Sequence, residues 1–167
     1  MNTSSIMVLF QRHGLLLTLI GSLVIVAAAF AYEKITGLLP CHLCWLQRWV
    51  FIGFAALSLC GLALQRFRLV RWLLALVFAL LILVGSGIAL RHLYIKLNPQ
   101  TVSCGMDVQT LLDFFPLWEA VSHMLIGSSD CAQAADFLGL PLPTWSLTGY
   151  LLLGSLAIYS LLSRKTQ

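Results

Sequence analysis

Charge is what this sequence has least of. Of its 167 residues, 10% are Asp, Glu, Lys or Arg, and only six are acidic. Soluble domains carry about 25% charged residues, so a large water-facing surface is excluded. A chain that is 60% hydrophobic and so poor in charge has lipid as its solvent. Its net charge of +4 is then no argument for nucleic acid, because the position of charge across a membrane matters more than its sum. No internal repeat, soluble domain or low-complexity linker is present. A Cys-x-x-Cys pair is followed by Trp45 rather than His, which excludes covalent haem attachment.

What the chain does have is long apolar runs. Leu15–Tyr32, Trp45–Leu64, Trp72–Leu90 and Trp145–Leu162 each hold 18 to 20 residues, close to the ~20 that cross a bilayer core at about 1.5 Å per residue. The expected fold is an all-α membrane protein. A four-transmembrane-helix bundle would form a single integral membrane domain over 1–167, with outer loops at about 33–44 and 91–144. Arg12 and the Ala-rich end of the first run suit a signal peptide. The run is nevertheless longer than the ~7–15-residue apolar core of such peptides, so an uncleaved helix is expected.

Basic residues set the orientation. With four spans, both termini and the Gln65–Arg71 loop share one side, where short segments hold Arg12, Arg66, Arg68, Arg71, Arg164 and Lys165. Lys34, Arg48, Arg91 and Lys96 are spread over longer sequence on the other side. Dense basic residues in short segments mark the cytoplasmic face. Glu33, Asp107, Asp113, Glu119, Asp130 and Asp136 then lie outside.

Gly37 and Pro40 break the chain between the first two spans. Gly85-Ser86-Gly87 in the third permits close helix packing. Within the long outer loop, Leu111, Phe114, Phe115, Trp118, Val121 and Leu125 recur at helical spacing. That pattern suits a short helix lying in the membrane interface, interrupted by Pro116.

The chemistry-bearing stretch is Pro40-Cys41-His42-Leu43-Cys44-Trp45-Leu46-Gln47-Arg48. On a helix, Cys41, Cys44 and Arg48 fall at i, i+3 and i+7, along one face. A bridge across two intervening residues constrains little chain entropy. Thiols at a helix start suit exchange, because the helix N-terminus favours the thiolate. Zinc on Cys41, Cys44 and His42 or a distant Cys is the competing reading, but His42 would point away from its neighbours, and no metal is expected. Arg48 either snorkels to the headgroups or binds an electron-rich carbonyl. Cys104 and Cys131 form either a loop staple of ~3 kcal/mol or an exposed, reducible pair open to a soluble partner. Cys60 lies about 24 Å of helix rise from Cys44 and reads as a small buried apolar residue. A lone interfacial His such as His92 is ordinarily solvated, and His13, His42 and His123 form no pattern.

These residues resemble the bacterial disulfide bond formation protein B (DsbB) family over nearly the whole chain. The matching marks are four spans, Cys41-His-Leu-Cys44 with Arg48, Arg91-His92, Cys104, and Gly127-Ser-Ser-Asp-Cys131 followed by Asp136-Phe-Leu-Gly-Leu-Pro141. The resemblance implies an inner-membrane enzyme, a thiol:quinone oxidoreductase that reoxidises a soluble periplasmic DsbA-like thiol oxidase. It implies redox disulfides Cys41–Cys44 and Cys104–Cys131, with Cys104 attacked by the partner. Cys44 would pass electrons to quinone (ubiquinone or menaquinone), with Arg48 and His92 beside it. Gln47 stands where some members have an acid. DsbA has a potential near about −120 mV, so reoxidation by a glutathione pool near about −200 mV would run uphill by roughly 80 mV, about 4 kcal/mol. Two other readings remain at this level. One is a tetraspan scaffold with structural disulfides. The other is a quinone-linked thiol reductase of the vitamin K epoxide reductase type, which a Cys-x-x-Cys near the last span would favour.

Overall fold

A computed structural model describes residues 3–37, 40–106, 108–134 and 136–163, with backbone alone over 3–12. Asp107, Arg164, Lys165 and the Arg12 side chain lie outside the described residues. The chain orders as α1 (Thr3–Thr36), α2 (His42–Leu64), α3 (Arg68–Leu97), α4 (Val108–Phe114), α5 (Leu117–Ile126), α6 (Ser129–Ala132), β1 (Asp136–Phe137), β2 (Leu140–Pro141) and α7 (Leu142–Ser163). Helices α1, α2, α3 and α7 are each long and apolar enough to cross a membrane. They form a mostly helical four-helix membrane bundle, packed as a ring in the order α1, α2, α3, α7.

The helices outrun the apolar stretches that announce them. Helix α1 continues to Thr36, and Gly37 ends it with φ +68° and its N–H on the Glu33 carbonyl at 2.9 Å. This is the left-handed stop that glycine makes without a Cβ clash. Helix α3 runs on through Arg91, His92 and Lys96 to Leu97, so these residues are helical rather than part of the loop. Each of the three fastens the outer excursion to α3. Arg91 donates to the Ile126 carbonyl at 3.1 Å, His92 meets the Cys131 carbonyl at 3.2 Å, and Lys96 pairs with Asp136 at 2.5 Å.

Helix association in lipid relies on close packing, because lipid is as apolar as the helix surface. A Cβ on Gly85 would lie 2.9 Å from Val50 and 3.0 Å from the Tyr150 ring. The small residue there lets α2, α3 and α7 converge. Phe51, Phe54, Phe78 and Tyr150 fill the centre, with Phe54 and Phe78 ring centroids 5.6 Å apart. Leu, Ile and Val side chains cover the outside, as a lipid-facing surface requires. Cys60 is exposed there, contrary to the expectation of a buried residue. In a bundle solvated by lipid, apolar character does not mark the inward face.

The interfacial element forms as expected, in two pieces. Pro116 caps α5 with φ −57° and ψ 148°, which separates it from α4. Leu111, Ala120 and Met124 pack into a small cluster, while Phe114, Leu117 and Trp118 remain largely exposed.

Candidate functional site

Helix α2 begins at His42. Cys41 is its N-cap in an extended conformation, φ −67° and ψ 164°, and Cys44 lies in the first turn. Because Cys41 is off the helical spiral, the single stripe expected of Cys41, Cys44 and Arg48 divides. Cys41 turns toward α3 and α6, whereas Arg48 turns toward α1.

All five cysteines are thiols. Cys41 Sγ lies 3.1 Å from Cys44 Sγ and 3.7 Å from His92 Nε2, and it also hydrogen-bonds the Cys131 sulfur. Cys41 thus stands between Cys44, from its own loop, and Cys131, from the other. The contact with Cys131, then that with Cys44, pushes the Cys41 thiol far above the ordinary range, and burial adds to this. The same hydrogen bond holds the Cys131 thiol down at about 6 against the opposing effect of burial, with backbone bonds from Ser128 and Leu43 and the Ser128 hydroxyl assisting. A hydrogen bond to the charged form favours that form. The arrangement is therefore a Cys131 thiolate accepting from a Cys41 thiol.

Cys104 is exposed and Cys131 fully buried, yet their segments adjoin. The Ser129 N–H donates to the Ser103 carbonyl at 3.1 Å. His42 joins both segments to the Cys-x-x-Cys pair: Nε2 donates to the Met106 carbonyl at 2.6 Å, and Nδ1 accepts from Ser128 Oγ at 3.0 Å. A Cβ on Gly105 would sit 3.0 Å from Ser128 Cβ and 3.3 Å from the His42 ring. His42, which forms no pattern in sequence, is the clamp between the two loops. Its position between the cysteines was the one available sign.

His92 is also corrected. It is completely buried rather than solvated. Gln47 Nε2 donates to its Nδ1 at 3.3 Å, and Ser146 Oγ donates to Gln47 Oε1 at 3.0 Å. Those bonds leave the ring proton on Nε2, which faces Cys41 and the Cys131 carbonyl. No sequence signal marks Gln47 or Ser146 as its partners, because α2 and α7 reach it from distant parts of the chain.

Arg48 neither snorkels nor stands unpaired. Its guanidinium binds Glu33 at 2.6 Å and the Ala29 carbonyl at 3.3 Å, and lies 4.6 Å from the centre of the Phe30 ring. An ion pair with α1 neutralises a charge that would be costly in lipid. Among the described residues, no hydrogen bond or ion pair joins Arg48 to His92.

Comparison with known proteins gives a consistent result. The family model described as disulfide bond formation protein DsbB matches residues 11–160. A disulfide bond formation protein B of Alkalilimnicola ehrlichii is 44% identical over 157 residues, covering 94% of this chain and 97% of the relative. One from Verminephrobacter eiseniae is 36% identical, covering 92% and 86%. Another from Stutzerimonas stutzeri is 29% identical, covering 92% and 96%. No solved structure matches the chain.

Proposed function

The chain belongs to the disulfide bond formation protein B family, multi-pass membrane proteins of disulfide bond formation, and we propose that it is a thiol:quinone oxidoreductase that reoxidises a periplasmic DsbA-like dithiol protein. The observation that carries this reading is the position of Cys41, in contact with Cys44 on one side and Cys131 on the other. A scaffold stapled by structural disulfides has no use for a thiol shared between two pairs.

The exchange balances as follows. A partner thiolate attacks Cys104 of a Cys104–Cys131 disulfide, the exposed sulfur leaving Cys131 as a thiolate. Cys131 attacks Cys41 of the Cys41–Cys44 disulfide, and Cys44 is released. The partner's second thiolate resolves the mixed disulfide at Cys104 and departs oxidised. Cys104 then attacks the Cys41–Cys131 bridge, which restores Cys104–Cys131 and leaves Cys41 and Cys44 as the reduced pair. Each step exchanges one S–S bond for another. Two electrons and two protons have moved inward from the partner to the Cys41–Cys44 pair.

The surroundings of Cys44 fit a quinone head. A guanidinium carries five N–H donors, of which Glu33 and Ala29 take two. Arg48 thus has donors for a carbonyl one helical turn from Cys44, with the Phe30 and Trp45 rings alongside. A membrane quinone held there, ubiquinone or menaquinone, would supply a two-electron acceptor for the Cys41–Cys44 dithiol. His92 serves the Cys41 side, donating from Nε2 toward the sulfur that must leave as a thiolate. Both termini lie in the cytoplasm and both cysteine pairs in the periplasm, as the basic residues of the short segments indicate.

Purified protein is expected to reoxidise a reduced dithiol partner only when quinone is supplied, and Cys44→Ala is expected to abolish that turnover. Continued quinone-dependent turnover by Cys44→Ala would refute the scheme.

A further inference from the structure

Thiol exchange uses the sulfurs of Cys41 and Cys44 but does not by itself require an imidazole beside them. The donor atoms of Cys41, Cys44 and His92 nevertheless lie within 4.8 Å of one another. We propose that the reduced centre is a binding site for a thiophilic d10 cation, zinc foremost, held by Cys41 Sγ, Cys44 Sγ and His92 Nε2.

The spacing is close to what a tetrahedral ion needs. Zn–S bonds of about 2.3 Å and Zn–N bonds of about 2.0–2.1 Å place two sulfurs about 3.8 Å apart, and sulfur and nitrogen about 3.5 Å apart. Cys41 Sγ and His92 Nε2 are 3.7 Å apart. The two sulfurs are 3.1 Å apart, and a small rotation of the half-buried Cys44 side chain opens that gap. Three protein ligands leave the fourth tetrahedral position open.

The imidazole has the support that a metal ligand requires. A ligating His donates its other ring N–H to a fixed acceptor. Here Nδ1 faces the Gln47 amide, and the Gln47 carbonyl oxygen accepts from Ser146 Oγ. If the amide flips, Gln47 Oε1 accepts from the His92 Nδ1–H and the Gln47 amide N–H donates to Ser146 Oγ, since a hydroxyl accepts as well as donates. The His92 proton then sits on Nδ1, and its Nε2 is free for the ion. Only the contact with the Cys131 carbonyl is lost.

Binding moves no electrons. The ion displaces the two thiol protons and is held by two thiolates and a neutral imidazole. A Cys41–Cys44 disulfide offers no thiolate, so the site exists only in the reduced centre. A bound ion would hold the centre reduced and stop onward transfer. The site depends on neither the identity of the electron acceptor nor that of the partner.

The test uses full-length protein in detergent with Cys60→Ser and Cys104→Ser, which remove the two exposed thiols. After anaerobic reduction and removal of reductant, zinc is titrated against a chromophoric chelator, and cobalt(II) is bound in parallel as a spectroscopic probe. One zinc per chain is expected in the reduced protein and none after oxidation, with thiolate-to-cobalt charge-transfer bands. Cys44→Ser and His92→Gln should each weaken zinc at least about tenfold. Gln47→Leu, which keeps all three ligands, should weaken it about ten- to a hundredfold. Equal binding by the oxidised protein, zinc affinity indifferent to Cys44→Ser, or cobalt spectra without thiolate bands would each overturn the proposal. Because Cys44 is half-buried and its serine variant is nearly isosteric, the test remains decisive whether or not His92→Gln folds.

Discussion

In the reduced centre Cys131 is held down at about 6, chiefly because the Cys41 thiol donates to it. That donation exists only while Cys41 is a thiol. When Cys41 is bridged to Cys44, the Ser128 and Leu43 backbone and the Ser128 hydroxyl are the groups left to favour the Cys131 thiolate. The sign of the pH dependence follows. In the reduced centre the Cys131 thiolate persists above about 6 and is protonated as pH falls through that value. Cys41→Ala should raise the Cys131 midpoint toward the ordinary 9.0, read as thiolate ultraviolet absorbance against a Cys131→Ser reference. An unmoved midpoint would assign the charge to Ser128 and Leu43 instead. Little of this was legible in sequence. The Cys-x-x-Cys spacing and helix start identified Cys41 and Cys44, but a hydrogen bond across 90 residues of chain leaves no local pattern. His92 read as solvated because its burial comes from α6 folding over it. Arg48 left two readings open because its partner Glu33 lies on another helix.

The outer ends of α2 and α3 bring the two loops together, and Gly127 sets the turn that admits Cys131. Its φ is +83°, and a Cβ there would lie 2.5 Å from Ile95 Cδ1. A non-glycine residue in that backbone region costs about 1–3 kcal/mol, and the clash adds to it. Gly127→Ala should therefore slow Cys131–Cys41 exchange in single-turnover thiol trapping while leaving the helical circular dichroism unchanged. Loss of helix would instead mean that the turn holds the bundle itself. The elements were the most legible part of the chain. Four apolar runs and Pro116 fixed the spanning helices and the break between α4 and α5, because lipid thickness and proline geometry act locally. The last turns of α3 were hidden, since Arg91, His92 and Lys96 interrupt the apolar run although the helix continues through them.

Across the whole molecule four of the five cysteines form a path from solvent into the protein and back to partial exposure. Cys104 meets solvent, Cys131 and Cys41 are buried, and Cys44 is half-buried near Arg48. Sequence placed both pairs on one side of a four-span chain, but not the contact that connects them, which depends on His42 holding Met106 and Ser128 together. Anaerobic thiol trapping follows the path in a single experiment. Oxidised protein receives one equivalent of reduced dithiol partner, is quenched in acid and alkylated, and is mapped by mass spectrometry with and without quinone. Without quinone, the alkylated thiols should be Cys41 and Cys44, with Cys104–Cys131 bridged. With quinone, both should return to the disulfide. Cys41 and Cys44 that stay bridged while Cys104 and Cys131 become alkylated, or that stay reduced after quinone is added, would contradict transfer through Cys41 to quinone.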